Sequence, residues 1–224
     1  SIDRLSDTRS RAARMGNITV QESSNYAYAR EKLRSMTAAH TAPVTVDDPQ
    51  LAKYTQALRQ LRSGNPQAAL QTLGTVTAPL LPLRLLQATA LNRSQRYKET
   101  IALLTPLAQT QQESVLILLA EALLAEGQAK QAWQLFERMP LSEQTSLTFL
   151  EMRQRVAEQA EQPVDAYRSA AERSLRMGEY QHAKANLQQA SRLPALPATT
   201  LASLQALIRD IEHTENQQKQ LPKF

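Results

Sequence analysis

The sequence predicts an all-α protein, and its composition supplies two observations for this prediction. Ala, Leu and Gln number 33, 33 and 25 of the 224 residues, and these side chains lose little rotamer entropy in a helix. Gly (5 residues) and aromatic side chains (4%) are too scarce for a β-sandwich, a barrel or a glycine-rich nucleotide-binding fold. A third observation, a phrase that recurs along the chain, predicts how the helices are arranged.

The recurring phrase has a small residue, a turn seven residues later, and then apolar positions at helical spacing. Turns are predicted at Gly64, Gln95, Gly127 and Gly178. The small residues before the turns are Ala57, Ala88, Ala120 and Ala171, and those after them are Ala69, Thr100, Ala132 and Ala183. The first three turns are 31 and 32 residues apart, which is similar to the tetratricopeptide (TPR) repeat with its nominal period of about 34.

Residues 49–193 are therefore predicted to form a TPR-like α-solenoid of stacked antiparallel helix pairs. Helix A needs a small residue where helix B crosses closely, and a turn glycine can take the left-handed conformation that ends helix A. One such pair cannot bury its apolar face alone, so the pairs stack. The alternative is an ordinary helical bundle in which the spacing is a coincidence.

The third and fourth predicted turns are 51 residues apart, which leaves room for one more helix. We predict it over Ser142–Gln159, with Ser142 as its N-cap, because a serine hydroxyl accepts hydrogen bonds from the first turn. A C-terminal capping helix is predicted over residues 197–217, since the last apolar face would otherwise meet water. Pro106 is expected to end or kink the preceding helix at Thr105.

The first 48 residues do not carry the repeat phrase. We predict a charged helix over Arg4–Met15 and a second helix over Glu22–Thr37. Residues 38–48 are polar and contain proline, which is typical of a linker. The predicted segments are thus residues 1–37, 38–48, 49–193 and 197–217.

Few residues suggest chemistry. The absence of Cys excludes a disulfide framework, a thiolate zinc site and a cysteine nucleophile. His40, His182 and His213 share no metal-ligand spacing, and the sequence has no H-E-x-x-H, no glycine-rich phosphate loop and no G-x-S-x-G elbow. We therefore expect no catalytic, cofactor-binding or metal-binding residue in this chain.

Charge and hydropathy bear on the partners. The net charge is +5, from 26 basic and 21 acidic residues, but the basic residues form no concentrated stripe, so nucleic acid is not an expected partner. No window approaches the roughly 18 apolar residues that a membrane span requires. The expected partner is therefore another protein, and the chain is not expected to be transmembrane.

Motifs at both ends of the chain stand in the order found in one known family. Arg4–Ala12 matches the phrase R-[IL]-x-[DE]-x-x-x-R-A, and Ser23–Leu33 matches a helix of the type Y-x-x-x-R-x-[KR]-[IL]. Towards the end, the matching residues are Tyr167–Arg173, Gly178, Ala183, Leu187, Ala190, Ala206, Ile208 and Ile211. In this order the motifs resemble those of the bacterial BepA-like zinc metallopeptidases, in which an H-E-x-x-H protease domain precedes a TPR tail.

The resemblance implies that the chain is the tail of a periplasmic zinc metalloprotease with chaperone activity in outer-membrane protein assembly and quality control. Residues 1–37 would then be the end of the peptidase domain and a bridging helix. The zinc ligands and the catalytic Glu would lie before Ser1, so zinc is expected only in the absent peptidase domain. The chain as given is not expected to be an enzyme, although its parent protein would be. The implied partners are the outer-membrane assembly machinery or unfolded outer-membrane proteins.

The leading hypothesis is an interaction module whose concave helix-A face docks such a partner. By register, the residues expected to project into this groove are Arg62, Asn92, Arg93, Arg168, Glu172 and Arg176. A related hypothesis is that the tail delivers substrate to the protease. The alternative is a free-standing TPR adaptor, or a secretion or pilus scaffold, that binds peptides. Glu121 and Glu172 in the same groove weaken a carboxylate clamp, which needs converging Lys, Arg and Asn side chains.

Overall fold

A computed structural model describes residues 24–37, 48–76, 79–142 and 144–220, and within these residues the regular structure is entirely helical. The all-α prediction is therefore confirmed for this part of the chain. None of its helices is long and apolar enough to cross a membrane. The helices are α1 (Ser24–Thr37), α2 (Pro49–Arg62), α3 (Pro66–Gly74), α4 (Leu81–Arg93), α5 (Tyr97–Leu104), a 3₁₀ helix η1 (Thr105–Thr110), α6 (Glu113–Ala125), α7 (Ala129–Phe136), α8 (Leu147–Gln159), α9 (Pro163–Arg176), α10 (Tyr180–Ser191) and α11 (Ala198–Gln220).

The chain divides into two compact units, residues 1–86 and 87–224, with the boundary inside α4. In the first unit, α1 packs on α2 and α2 packs on α3. Tyr28 of α1 meets Tyr54 of α2 edge to face, with ring centroids 5.0 Å apart. The Asp48 carboxylate caps α2 by accepting a hydrogen bond from the Gln50 N–H at 2.8 Å. The aromatic contact and the cap hold this helix in place.

In the second unit each helix from α5 to α10 packs on the next along the chain, α6 also packs on α8, and α10 packs on α11. Phe136 and Phe149, both fully buried, join α7 to α8 with ring centroids 4.8 Å apart. A separate apolar cluster joins α10 to α11 through Leu187, Leu204 and Ile211. Apolar contacts thus join successive helices of this unit.

Five turns between helices share one backbone geometry. Their central residues take positive φ, and the N–H of the next residue donates to a carbonyl oxygen five residues earlier at 2.8–2.9 Å. This hydrogen bond satisfies a carbonyl that the end of an α-helix leaves free. The central residues are Gly64, Gln95, Gly127, Glu161 and Gly178, with φ of 76°, 58°, 73°, 59° and 76°.

The small residues of the repeat phrase are core residues. Seven of the eight are completely buried and Ala171 is 2% exposed, a set that comprises Ala57, Ala88, Ala120, Ala171, Ala69, Thr100, Ala132 and Ala183. Because close-packed helices leave no room for larger side chains at such positions, their size limits the distance between neighbouring helices. The repeat phrase therefore identified contact positions between helices.

The structure adds one turn to the four that were predicted. Gly178 does form a turn, between α9 and α10, but the turn that continues the spacing of the first three is at Glu161. Gly64, Gln95, Gly127 and Glu161 are 31, 32 and 34 residues apart. The helix between the third and fourth predicted turns is therefore in phase with the repeats, and it pairs with α9.

The predicted start of this helix at Ser142 was wrong. α8 begins at Leu147, and Ser146 is its N-cap, because the Ser146 hydroxyl accepts a hydrogen bond from the Phe149 N–H at 3.1 Å. The Ser142 N–H donates instead to Thr145 Oγ1 at 3.0 Å. Such local bonds between side chain and backbone compete with helix formation, so this segment stays irregular.

Other boundaries agree with the predictions more closely. α5 ends at Leu104 and η1 takes over at Thr105, so Pro106 ends the α-helix. The predicted C-terminal helix is present as α11, which spans Ala198–Gln220, against the predicted 197–217. The predicted helix over Arg4–Met15 and nearly all of the predicted linker lie outside the described residues.

Candidate functional site

A cleft of the second unit has a volume of about 640 Å³ and lies between helices α4, α6 and α8. We call it the α4–α6–α8 cleft. It is lined by Thr89, Asn92, Arg93, Tyr97, Leu118, Glu121, Leu124, Ala125, Arg155 and Gln159. Its volume is within the range of about 300–1,000 Å³ that ligand sites in proteins usually have.

Two sets of equivalent positions line this cleft. Thr89, Glu121 and Arg155 each stand six residues before a left-handed turn residue, at Gln95, Gly127 and Glu161. Two residues before the same turns stand Arg93, Ala125 and Gln159, which also line the cleft. Three successive hairpins therefore contribute the same two helix positions to one surface.

Asn92 joins the first two of these helices. Its side-chain amide donates to the Leu118 carbonyl oxygen at 3.1 Å and to Glu121 Oε2 at 3.1 Å. The Asn92 Oδ1 atom is buried and has no hydrogen-bond partner in the described part of the chain. An acceptor that is buried without a donor costs free energy, on the order of 1–3 kcal/mol.

The charges of the cleft are mixed. Arg93 and Arg155 are exposed cations at its lining, and Glu121 is a partly buried anion. The Asn92 amide that donates to Glu121 is neutral, so it does not offset the negative charge of Glu121. The cleft can therefore bind a ligand that has both hydrogen-bond donors and hydrogen-bond acceptors, as a polypeptide backbone does.

The predicted groove residues fall into separate places. Asn92 and Arg93 lie together in the α4–α6–α8 cleft. Arg168 is exposed on α9, one helical turn before Glu172, and lies outside this cleft. Arg62 is exposed near the end of α2, in the first unit.

Glu172 and Arg176 have contacts inside the protein. Arg176 Nε donates to Glu172 Oε1 at 2.9 Å, and Arg176 Nη1 donates to the Thr145 carbonyl oxygen at 2.8 Å. A further bond runs from Arg176 Nη2 to the Ser142 carbonyl oxygen. This side chain thus ties the end of α9 to the irregular segment before α8, which gives Arg176 a structural role.

Arg155 and Gln159 are cleft residues that the sequence analysis did not find. The signal was present, because Glu161 lies 34 residues after Gly127 and thereby sets α8 in the same register as α4 and α6. This turn has a glutamate where three of the other four have glycine, so its residue type gave no sign of it. Tyr97, at the start of α5, was missed because its position belongs to helix B of the repeat phrase.

The described residues include no group of three or more His, Asp or Glu side chains that could hold a metal ion. His182 is exposed, with its Nδ1 3.3 Å from Glu179 Oε2. His213 is exposed near the end of α11, and His40 lies outside the described residues.

Comparison with known proteins leaves the resemblance to BepA-like peptidases a prediction. No protein-family model matches the chain, and no curated protein matches it in sequence.

Proposed function

We propose that the chain is a TPR-like protein-interaction module whose α4–α6–α8 cleft docks a segment of a protein partner. This proposal depends on one observation: three helices line the cleft with the same two helix positions. The first position is occupied by Thr89, Glu121 and Arg155, and the second by Arg93, Ala125 and Gln159. When repeated helices present the same register to one side, their exposed positions form a continuous binding surface. Polar and arginine side chains at that surface are typical of recognition sites for proteins.

The repeat assignment rests on three independent features. The turns share a left-handed residue and the same backbone hydrogen bond. The small residues around them are buried. The turn spacings of 31, 32 and 34 residues are close to the TPR period of about 34.

We further propose that the parent protein is a periplasmic zinc metalloendopeptidase that acts in outer-membrane protein assembly and quality control. The order of the motifs along the sequence supports this proposal. In that setting the module would hold the assembly machinery or an unfolded outer-membrane protein near the protease. The complete reading frame offers the first test, because it should encode an H-E-x-x-H motif and a secretion signal upstream of Ser1.

The docking surface can be tested by cross-linking in the full-length protein. A photoreactive amino acid replaces Gln159 in the cleft, and a control replaces the exposed Gln134 of α7. We expect the probe at residue 159 to capture a component of the outer-membrane assembly machinery, identified by mass spectrometry, and the probe at residue 134 to capture none. Capture from residue 134 alone would assign docking to the helix-B side.

A charge reversal tests the same surface by affinity. Arg155→Glu in the cleft should weaken capture by about tenfold, which corresponds to roughly 1.4 kcal/mol. Arg192→Glu is the matched control, since Arg192 is also exposed and lies outside the α4–α6–α8 cleft. Equal capture by both variants would contradict the docking site. Loss of helical circular dichroism in Arg155→Glu would signal a folding defect, and Arg155→Gln would then replace it.

The second candidate function is a free-standing adaptor or a secretion or pilus scaffold that binds peptides. The α4–α6–α8 cleft favours it as well, because its polar lining suits a peptide regardless of the parent protein. A complete reading frame that begins shortly before Ser1, without an H-E-x-x-H motif, would select this function.

A further inference from the structure

A second cleft, of about 460 Å³, lies among α8, α9 and α10. It is lined by residues from the end of α8, the turn at Glu161, the start of α9 and Asn186 of α10. We call it the α8–α9 cleft. It shares no lining residue with the α4–α6–α8 cleft, so it is a separate site.

One wall of the α8–α9 cleft is apolar. Pro163 and Tyr167 contribute a ring each, and Ala166 and Ala170 contribute methyl groups. Rings next to small side chains accommodate the methylene stem of a long side chain such as that of arginine or lysine.

The remaining lining carries negative charge only. Glu158 and Glu161 contribute carboxylates, and no Lys, Arg or His lines the cleft. Glu158 Oε1 accepts a hydrogen bond at 2.8 Å from Gln154 Nε2, which is neutral and does not offset its charge. The apolar wall and the two anions together suit a ligand that is apolar along its length and cationic at its end.

Gln154 positions one of the two carboxylates. Its Nε2 atom donates to Glu158 Oε1, and both side chains line the cleft. A ligand with several N–H groups would satisfy both carboxylates. An arginine guanidinium has five such donors in a planar fork, and a lysine ammonium has three on one compact centre.

We propose that the α8–α9 cleft binds an arginine side chain of a protein partner. The methylene stem lies along Pro163 and Tyr167, and the guanidinium donates to the carboxylates of Glu158 and Glu161. This site adds a second contact of defined chemistry, and it does not depend on what the α4–α6–α8 cleft binds. A segment that carries an exposed arginine is therefore the expected partner at this position.

The test is a titration of the chain with the capped tripeptide Ac-Gly-Arg-Gly-NH2, followed by ¹H–¹⁵N chemical shifts. The comparison peptide contains citrulline, which has the shape of arginine but no charge. We expect chemical-shift changes at Gln154, Tyr167 and Asn186. The affinity for the arginine peptide should exceed the affinity for the citrulline peptide by about tenfold. Raising the salt concentration should weaken binding of the arginine peptide and leave binding of the citrulline peptide unchanged.

Variants locate the binding in the cleft. Glu158→Gln combined with Glu161→Gln removes both charges with little change in shape, and it should abolish the preference for arginine over citrulline. The control combines Asp210→Asn with Glu212→Gln on the exposed face of α11, which removes the same charge elsewhere. The control should bind the arginine peptide as the unchanged protein does.

Several results would overturn the proposal. These are equal affinity for both peptides, shifts that map outside the α8–α9 cleft, and an unchanged preference in the Glu158→Gln, Glu161→Gln variant. Self-association of the chain that this variant removes, without any peptide-induced shift, would assign the cleft to a second copy of the protein instead. These readouts use only the peptide and the chain, so they remain informative if the proposed periplasmic function fails.

Discussion

Arg153 donates a hydrogen bond to the Ser169 hydroxyl at 2.7 Å, which joins α8 to α9 through a buried cation. The Asp165 carboxylate lies 3.4 Å from Arg153 Nη2, and the Trp133 ring centroid is 5.1 Å from the guanidinium carbon. Burial lowers the pKa of Arg153, and the negative charge of Asp165 acts in the opposite direction. The cation thus depends on partners from two other helices, α7 and α9, to stay in the interior.

Truncation of this side chain should destabilise the fold strongly. Arg153→Ala leaves Asp165 without its cation and removes the contact with Trp133, so we expect the free energy of unfolding to fall by about 3 kcal/mol. Arg155→Ala, two residues away and exposed, should change it by less than about 0.5 kcal/mol. Urea unfolding followed by circular dichroism measures both. Similar losses for the two variants would contradict the structural role of Arg153.

Substitutions at two left-handed turn residues should change the free energy of unfolding in opposite directions. Gln95 has φ of 58°, so Gln95→Gly should raise the free energy of unfolding by up to about 1 kcal/mol. Gly127 has φ of 73°, and a β-carbon there would meet nothing within 4 Å. Gly127→Ala should therefore lower stability by about 1 kcal/mol through backbone strain alone. Thermal unfolding measures both variants, and a shift of the same sign for both would be inconsistent with strain at Gln95.

Thr100 places a hydroxyl in the core of the second unit. The residue is fully buried, and its Oγ1 atom makes no hydrogen bond in the described part of the chain. Thr100→Val keeps the shape and removes the polar atom, so the free energy of unfolding should rise by about 1 kcal/mol. Ala132→Thr places the same group at the equivalent buried position of the next hairpin and should destabilise. Chemical unfolding measures the change in both variants. A Thr100→Val variant that is less stable than the unchanged protein would mean that the hydroxyl has a hydrogen-bond partner.

The buried hydroxyl of Tyr28 should make the protein less stable in alkaline solution. Burial, followed by the charge of Asp48, raises the pKa of its hydroxyl from 10.0 to about 12. Since the unfolded chain releases this proton more readily, the stabilisation is complete below pH 10 and is lost as the pH rises towards 12. Tyr28→Phe should therefore flatten the decline in unfolding free energy between pH 9 and 11.5. The control is Tyr26→Phe, at an exposed tyrosine of the same helix, and an equally flattened profile in the control would refute the assignment.

The sequence predicted the helices and most of the contact positions between them because both depend on short-range patterns. Ala57, Ala88 and Ala120 could be placed at helix contacts from their distance to a turn, and all three are fully buried. The candidate site was predicted in part. Asn92 and Arg93 line the cleft, whereas Arg176 is occupied by bonds to Glu172 and to backbone carbonyls more than thirty residues away in sequence.

By itself, the sequence determined that this protein is helical, where most of its turns lie and which small residues its helices require at their contacts. Composition and local spacing carry that information, since helix propensity and turn conformation depend on neighbours in the chain. Only the tertiary structure decided that α8 pairs with α9 through Glu161, that Arg155 and Gln159 join Asn92 at one cleft, and that Arg176 is tied down inside the protein. These outcomes depend on contacts between residues far apart in sequence, where packing and hydrogen bonding override local preference.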